Sequence, residues 1–213
     1  VEKLENDSYR VRGGDYIARD YDIEPDVSAA CYFYALAAAT GKRAMVKRMR
    51  KESLQGDMKF ISLLEKMGCT VSWERDGRQN LWLKGPDGKL KGMEVKMSDF
   101  SDQALTLAAI APFADSEVTI KGIAHIRGQE SDRIKVIVDE LAKMGILCNE
   151  LPDGVKIHPG TPKNTNIETY NDHRVAMSFA VTGLAGDGMT ILNPMCCKKT
   201  FAGFFDEIDR LEE

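Results

Sequence analysis

The sequence predicts an α/β fold made from one supersecondary unit used three times, and three observations carry that prediction. Three segments open alike: EPDVSAACYFYALAAATG, FSDQALTLAAIAPFAD and YNDHRVAMSFAVTGLAGD. Each has an Asp at a capping position (Asp26, Asp102, Asp172) ahead of an apolar helix rich in small residues. Each is followed by a short strand (AMVKRM, EVTIKGI, GMTILN) and then by a second helix: Asp57 to Met67, Glu130 to Met144, Thr200 to Leu211. The first two units run on alike, from EKMG and AKMG, into the hairpins CTVSWERDGRQNLWLKG and ILCNELPDGVKIHPG.

Each unit therefore reads helix, strand, helix, strand, strand. A further strand ahead of the first helix is expected in GMEVKMS for the second unit and in NIETY for the third. The period, about seventy residues, is too long for the usual solenoids and points to pseudo-symmetric packing within one domain. Small residues such as Ala30, Ala37, Ala108, Ala109, Ala176 and Ala180 let several helices approach closely inside a shell of sheet. Residues 1–20 belong to no repeat and read as a strand and connector arriving from elsewhere; the repeated domain occupies 21–213. The third unit reaches Glu213 without its hairpin. Either it is degenerate or its strands come from another part of a longer chain, and the start at Val1, within what reads as strand, fits a piece of something longer.

Composition narrows the function. At 213 residues the chain can bury a real core. A net charge of −4 gives no global basic field for nucleic acid or an anionic membrane, so any anionic ligand has to be gathered by local Arg and Lys. The apolar run near Ala104 to Ala114 falls far short of the roughly 20 residues of a membrane span. Five scattered cysteines, an odd number in apolar segments, fit reduced core thiols in a cytosol. Three histidines without partners at ligand spacing argue against a protein-built zinc site.

The stretch YNDHRVAM holds the chemistry. With Asn171 or Asp172 as N-cap, His173 and Arg174 fall in the first helical turn, beside unpaired N–H groups and the positive end of the dipole. An arginine there is favourable only if an anion lies between. The second unit places Arg127, Gln129, Glu130 and Arg133 around a helix start with Ser131 or Asp132 as cap, and the third places Lys198 and Lys199 before its last helix. Helix starts are anion sites. Pseudo-symmetry brings Arg133, Arg174 and Lys199 to one face, where they can clamp a compact polyanion. Arg133 and Lys199 alone each read as ordinary solvated side chains, His173 as satisfying a helix end, and Asp102 alone as a cap. Their coincidence at repeat-equivalent positions shifts the balance. Glu130 amid cations suits proton transfer.

Together, YNDHRVAM (170–177), RGQESDRI (127–134), SDQALT (101–106), EPDVSAACYF (24–33), LQGD (54–57) and KKTF (198–201) resemble the 5-enolpyruvylshikimate-3-phosphate (EPSP) synthase family, in the order of its C-terminal half. The resemblance implies an enolpyruvyl transferase-like, inside-out α/β domain of three βαβαββ units with helix N-termini facing an interdomain cleft. It implies a third unit completed by strands from the other half of the chain, and a partner domain that these residues do not include. It also implies transfer of the enolpyruvyl group of phosphoenolpyruvate to the 5-hydroxyl of shikimate 3-phosphate with release of phosphate, in the cytoplasm and without metal or organic cofactor. By motif, Arg133, Arg174 and Lys199 bind phosphoenolpyruvate. Glu130 matches the carboxylate that moves a proton at the methylene carbon, with His173 beside it. Asp102 matches the base that contacts the shikimate hydroxyl, and Gln129 and His125 are further candidate contacts to shikimate 3-phosphate. Gln129 departs from the family, which commonly has Lys there. The loss of that charge bears on substrate affinity and on response to glyphosate, the family's phosphoenolpyruvate-competitive inhibitor. Two other readings stand beside this one: a relative of the UDP-N-acetylglucosamine enolpyruvyl transferases, and a non-catalytic module that kept the fold.

Overall fold

A computed structural model describes residues 1–74 and 79–211 of the chain. The tip of the first expected hairpin and the last two residues of the expected repeated domain lie outside the described residues. Strands β1 (Glu2–Lys3) and β2 (Tyr9–Arg10) pair antiparallel, and an exposed irregular segment leads from them to Asp26. Asp26 opens α1 (Val27–Thr40), accepting from the N–H of Ser28 at 2.8 Å and of Ala29 at 3.3 Å, and Gly41 closes it with φ 68°. Then come β3 (Arg43–Val46), α2 (Met58–Lys66), β4 (Thr70–Trp73), β5 (Leu81–Lys84) and β6 (Glu94–Lys96). A 3₁₀ turn, Ser101–Gln103, runs into α3 (Ala104–Ile110), followed by β7 (Val118–Lys121), α4 (Arg133–Lys143), β8 (Cys148–Leu151) and β9 (Gly154–Ile157). The chain continues as β10 (Asn166–Ile167), α5 (His173–Ala185), β11 (Thr190–Ile191), a 3₁₀ helix Pro194–Lys199 and α6 (Phe204–Asp209).

The helices of the three look-alike segments, α1, α3 and α5, pack on one another. All seven residues of α3 are buried, as are ten of the thirteen in α5. A helix apolar on every side belongs in a core, and Ala, Ser and Thr on these helices let the axes come close. Thr182 Oγ1 donates to the carbonyl of Ala109 at 2.8 Å, which joins α5 to α3. By contrast α2 and α4 bury one face only, through Phe60, Ile61, Leu63 and Leu64 and through Ile134, Val136, Ile137 and Leu141. Around this core stand three sheets. In β3-β5-β4 all pairing is antiparallel; β6-β7-β9-β8 has β6 and β7 parallel; and β10 and β11 form a parallel pair. Gly85 lets the end of β5 meet α1, since a Cβ there would lie 2.2 Å from the carbonyl oxygen of Ala37. Among the described residues no helix is long and apolar enough to cross a membrane.

Three local expectations change. Asp102 is no cap: it sits inside the 3₁₀ turn, and its carboxylate is drawn sideways to two guanidinium groups. Helix α4 begins at Arg133, not Glu130, because Asp132 is the residue whose side chain caps it, accepting from the N–H of Lys135 at 3.1 Å. The last helix is only six residues, and Lys199 ends the 3₁₀ helix before it. Pro194 and a left-handed Asn193 (φ 51°) start that 3₁₀ helix early, and beyond it Phe201 and Phe204 anchor the chain against Phe33 of α1.

Candidate functional site

The site grows out of the turn before α5. Tyr170 and Asn171 both adopt left-handed backbone, φ 52° and 56°, a conformation that costs a tyrosine of order 1 kcal/mol or more. Buried Glu140 holds it in place: its Oε1 accepts from the Tyr170 hydroxyl at 2.8 Å and from Lys143 at 2.7 Å. Backbone turned this way delivers Asp172, extended and wholly buried, as the cap of α5, accepting from the N–H of Arg174 at 2.9 Å.

Asp172 also takes the fork of Arg133. Nε donates to Oδ2 at 2.8 Å and Nη2 to Oδ1 at 3.2 Å, while the Ser131 hydroxyl donates to Oδ2 at 3.0 Å. Burial pushes the Asp172 carboxyl up, but Arg133, the Arg174 N–H and Ser131 outweigh it and hold the group below the usual carboxylate range. The pair explains how the Arg133 side chain can be 2% exposed.

The other edge of Arg133 faces the remaining candidates. Nη2 donates to Glu130 Oε2 at 2.8 Å, and Nη1 reaches Asp102 Oδ1 at 3.4 Å and the side-chain oxygen of Gln129. Arg174 Nη2 donates to Asp102 Oδ2 at 2.8 Å, and Lys199 Nζ to Glu130 Oε1 at 2.9 Å. Asp102 thus bridges Arg133 and Arg174, and Glu130 bridges Arg133 and Lys199. Cations and carboxylates alternate around one patch supplied by the starts of α4 and α5, the turn before α3 and the 3₁₀ helix before α6. Beside it, a groove of about 500 Å³ is lined by Ser28, Asp57, Ser101, Asp102 and Gln129 among others.

His173 is buried at the first position of α5, and its Nδ1 lacks a hydrogen-bond partner. Burial, then the charge of Arg174, lower its pKa, so the ring is neutral near pH 7. His125 stands apart from the charged patch: it is exposed, and its Nε2 shares a 2.8 Å hydrogen bond with Ser101 Oγ, next to Asp102. The sequence reading gave Asp172 only a capping role and passed over Glu140, Ser28, Asp57 and Gln103. For Asp172 a signal existed, since an Asp directly ahead of His173 and Arg174 at a helix start stands where basic residues gather.

The Lys199 hydrogen bond, with help from Arg133, draws the Glu130 carboxyl down to about 2. A depressed pKa means the contact favours the folded site above the ordinary carboxylate range and is lost as pH falls toward that value. Lys199→Met should therefore raise the Glu130 pKa toward the usual ~4.3, stopping short because Arg133 remains. A carbon-13 NMR titration of the Glu130 carboxyl checks this; an unmoved midpoint would show that Lys199 does not set the charge of Glu130.

The fold has known counterparts. The chain superposes on the enolpyruvyl transferase NikO of Streptomyces tendae with a TM-score of 0.66 over 89% of its length and 43% of that chain, at 18% identity, which speaks for the fold alone. On EPSP synthase from Acinetobacter baumannii the TM-score is 0.79 at 28% identity, over 93% of this chain and 48% of that one. In sequence it is 44% identical over its whole length to the 3-phosphoshikimate 1-carboxyvinyltransferase of Nostoc punctiforme, covering 49% of that protein. A profile of the EPSP synthase (3-phosphoshikimate 1-carboxyvinyltransferase) family matches residues 1–208. The chain belongs to the EPSP synthase family. It spans about half the length of the curated relatives it matches.

Proposed function

We propose that this chain supplies one wall of an active site that transfers the enolpyruvyl group of phosphoenolpyruvate to the 5-hydroxyl of shikimate 3-phosphate, releasing phosphate. The observation that carries it is the patch in which Asp102 and Glu130 bridge Arg133, Arg174 and Lys199. Three fixed cations suit a small molecule bearing both a carboxylate and a phosphate, and oriented charge of this kind stabilises the transferring group. Asp102, open at the groove, takes the proton of the attacking hydroxyl. Once the phosphoenolpyruvate anion competes for Lys199 and Arg133, the Glu130 carboxyl that they hold ionised can carry a proton, which it gives to the methylene carbon and takes back in the elimination, with neutral His173 beside it. Addition gives a tetrahedral ketal phosphate; loss of the methyl proton to Glu130 and of phosphate, which carries off the proton held by Asp102, then forms the enol ether. Gln129 and His125 line the side where shikimate 3-phosphate sits. Gln129 offers an amide where a lysine is common, which bears on the response to glyphosate.

The reading extends to architecture. Three βαβαββ units, the third completed by strands from elsewhere, are supported by the shared orders β3-β5-β4 and β7-β9-β8 and by the parallel pairs β6–β7 and β10–β11. Residues 1–20 then lead in from a partner domain that holds most of shikimate 3-phosphate, and 21–213 form the repeated domain. Half-length coverage of the relatives supports such a partner. A cytoplasmic setting goes with this reading, and five free cysteines suit it.

A phosphate-release assay tests the proposal. With both substrates the 213-residue chain alone should release no phosphate above background, because one wall cannot hold two substrates in register. Supplying the complementary half of a family member as a second polypeptide should restore measurable turnover. Turnover by the chain alone would overturn the half-site reading. Turnover with UDP-N-acetylglucosamine in place of shikimate 3-phosphate would move the chain to the sister chemistry, and silence in every combination would favour a non-catalytic module.

A further inference from the structure

Besides Asp172 and Glu140, which hold the turn before α5 and Arg133, one more buried carboxylate stands outside the proposed chemistry. Asp57, just ahead of α2, is 8% exposed, yet it makes no side-chain capping bond to its own helix. Its Oδ2 instead accepts from Ser28 Oγ at 2.5 Å and from Gln103 Nε2 at 2.6 Å. Gln103 is wholly buried and its Oε1 has no partner, so the bond to Asp57 is what orients that side chain. Gln103 is also the chain neighbour of Asp102, within the 3₁₀ turn Ser101–Gln103. A single 3₁₀ turn has weak hydrogen-bond geometry of its own, and here the Gln103 N–H reaches the Phe100 carbonyl at 3.1 Å. A charge-assisted bond in a buried setting is the stronger constraint.

Asp57 is itself tied down. Gln55 Oε1 accepts from the Val27 N–H at 2.8 Å and Gln55 Nε2 donates to the Pro25 carbonyl at 2.9 Å, which staples the loop before α2 to the start of α1. Asp57 also lies within electrostatic reach of Arg174, the cation that Asp102 grips. The line of contact therefore runs from the start of α1, through Asp57 and Gln103, to the turn that presents Asp102 to Arg174 at 2.8 Å.

We propose that Asp57 is a positioning residue for Asp102: through Gln103 it fixes the turn that presents the Asp102 carboxylate, and so governs the step Asp102 serves. This rests on the reading of Asp102 as the base. Reaction rates fall steeply with misplacement, about a hundredfold for roughly 1 Å, whereas the phosphoenolpyruvate cations are held by other elements. The expected signature is a loss of kcat with KM for phosphoenolpyruvate little changed.

The kinetic test uses the chain joined to the complementary half proposed above. Gln103→Glu sets two carboxylates against each other and should lower kcat about ten- to a hundredfold, with KM for phosphoenolpyruvate within about threefold. Adding Asp57→Asn restores a donor–acceptor pair of reversed sense and should bring kcat back to within about threefold of the parent, a rescue that a merely structural role does not give. Gln103→Met, which removes the bond without a charge conflict, should show the same split. Unchanged kcat in both single variants, or a double variant no faster than Gln103→Glu, overturns the proposal. A second readout is independent of turnover. In the 213-residue chain, Gln103→Met should speed amide hydrogen exchange at Gln103 and Ala104 at least about tenfold while leaving α4 and α5 unchanged. Unaltered exchange there overturns the positioning role even if the parent protein proves inactive, an outcome that would count against the proposed reaction instead.

Discussion

Asp172→Ala is expected to destabilise the chain by roughly 3–5 kcal/mol, because it strands the buried Arg133 guanidinium. The Arg133 side chain is 2% exposed, and Nε and Nη2 both point at the Asp172 carboxylate. Asp102 and Glu130 still face its other edge, so the charge keeps some compensation and the lower half of that range is the better expectation. Loss of the α5 cap adds about 1 kcal/mol. For a domain of this size, each kcal/mol is worth about 2–4 °C in Tm. The sign with pH follows from the depressed pKa of Asp172: its contribution is present above the ordinary carboxylate range of about 4 and is lost as pH falls below it. Urea melts at neutral pH should show the full loss, and at the acid end parent and variant should converge. Arg133→Met combined with Asp172→Leu removes both charges and should recover much of the stability, since an apolar pair of similar volume often matches a buried ion pair. A cost for Asp172→Ala no larger than a cap's ~1 kcal/mol would mean that Arg133 does not depend on Asp172.

How far this network was legible depended on sequence distance. Helices α1 and α5 could be read from their own residues, because Asp26 and Asp172 cap locally and the small residues behind them mark buried helices. The convergence of Arg133, Arg174 and Lys199 could also be read, through the repeat. Asp102 misled as a cap because its partners are 31 and 72 residues away, and tertiary attraction to two guanidiniums overrode the local preference. The Ser28–Asp57–Gln103 contact was invisible for the same reason: QGD before a helix looks like any solvated turn, and only folding brings residues 46 apart together. The burial of Arg133 left no trace in its neighbours, since ESDR is written like surface charge. The short α6 was missed because a 3₁₀ helix and a cluster of phenylalanines took over sequence that reads as one continuous helix.

Arg174→Ala is expected to act on binding where Asp172→Ala acts on folding. The Arg174 side chain is 14% exposed and lies at the inner edge of the patch, with Nη2 on Asp102. In the proposed site, removing it takes one charge-assisted partner from the anion, worth roughly 1.5–3 kcal/mol, so phosphoenolpyruvate affinity should fall about ten- to a hundredfold or somewhat more. Shikimate 3-phosphate, held largely by the other wall in the proposed arrangement, should bind nearly as before. Arg174→Lys keeps the charge but loses the fork that matches a carboxylate or phosphate, and should fall between the two. Stability should change far less than for Asp172→Ala. Of the groups that lose it, the buried Tyr32 hydroxyl is uncharged, and Asp102 has a side chain 43% exposed, so water replaces that contact and Arg133 Nη1 remains at 3.4 Å. Calorimetric titration of the chain joined to the complementary half of a family member, with phosphoenolpyruvate and with shikimate 3-phosphate, beside urea melts of the same preparations, separates the effects. An Arg174→Ala variant with unchanged affinity and turnover for phosphoenolpyruvate would remove this arginine from the clamp. One with intact affinity but a collapsed melt would make it a structural partner of Asp102 and nothing more.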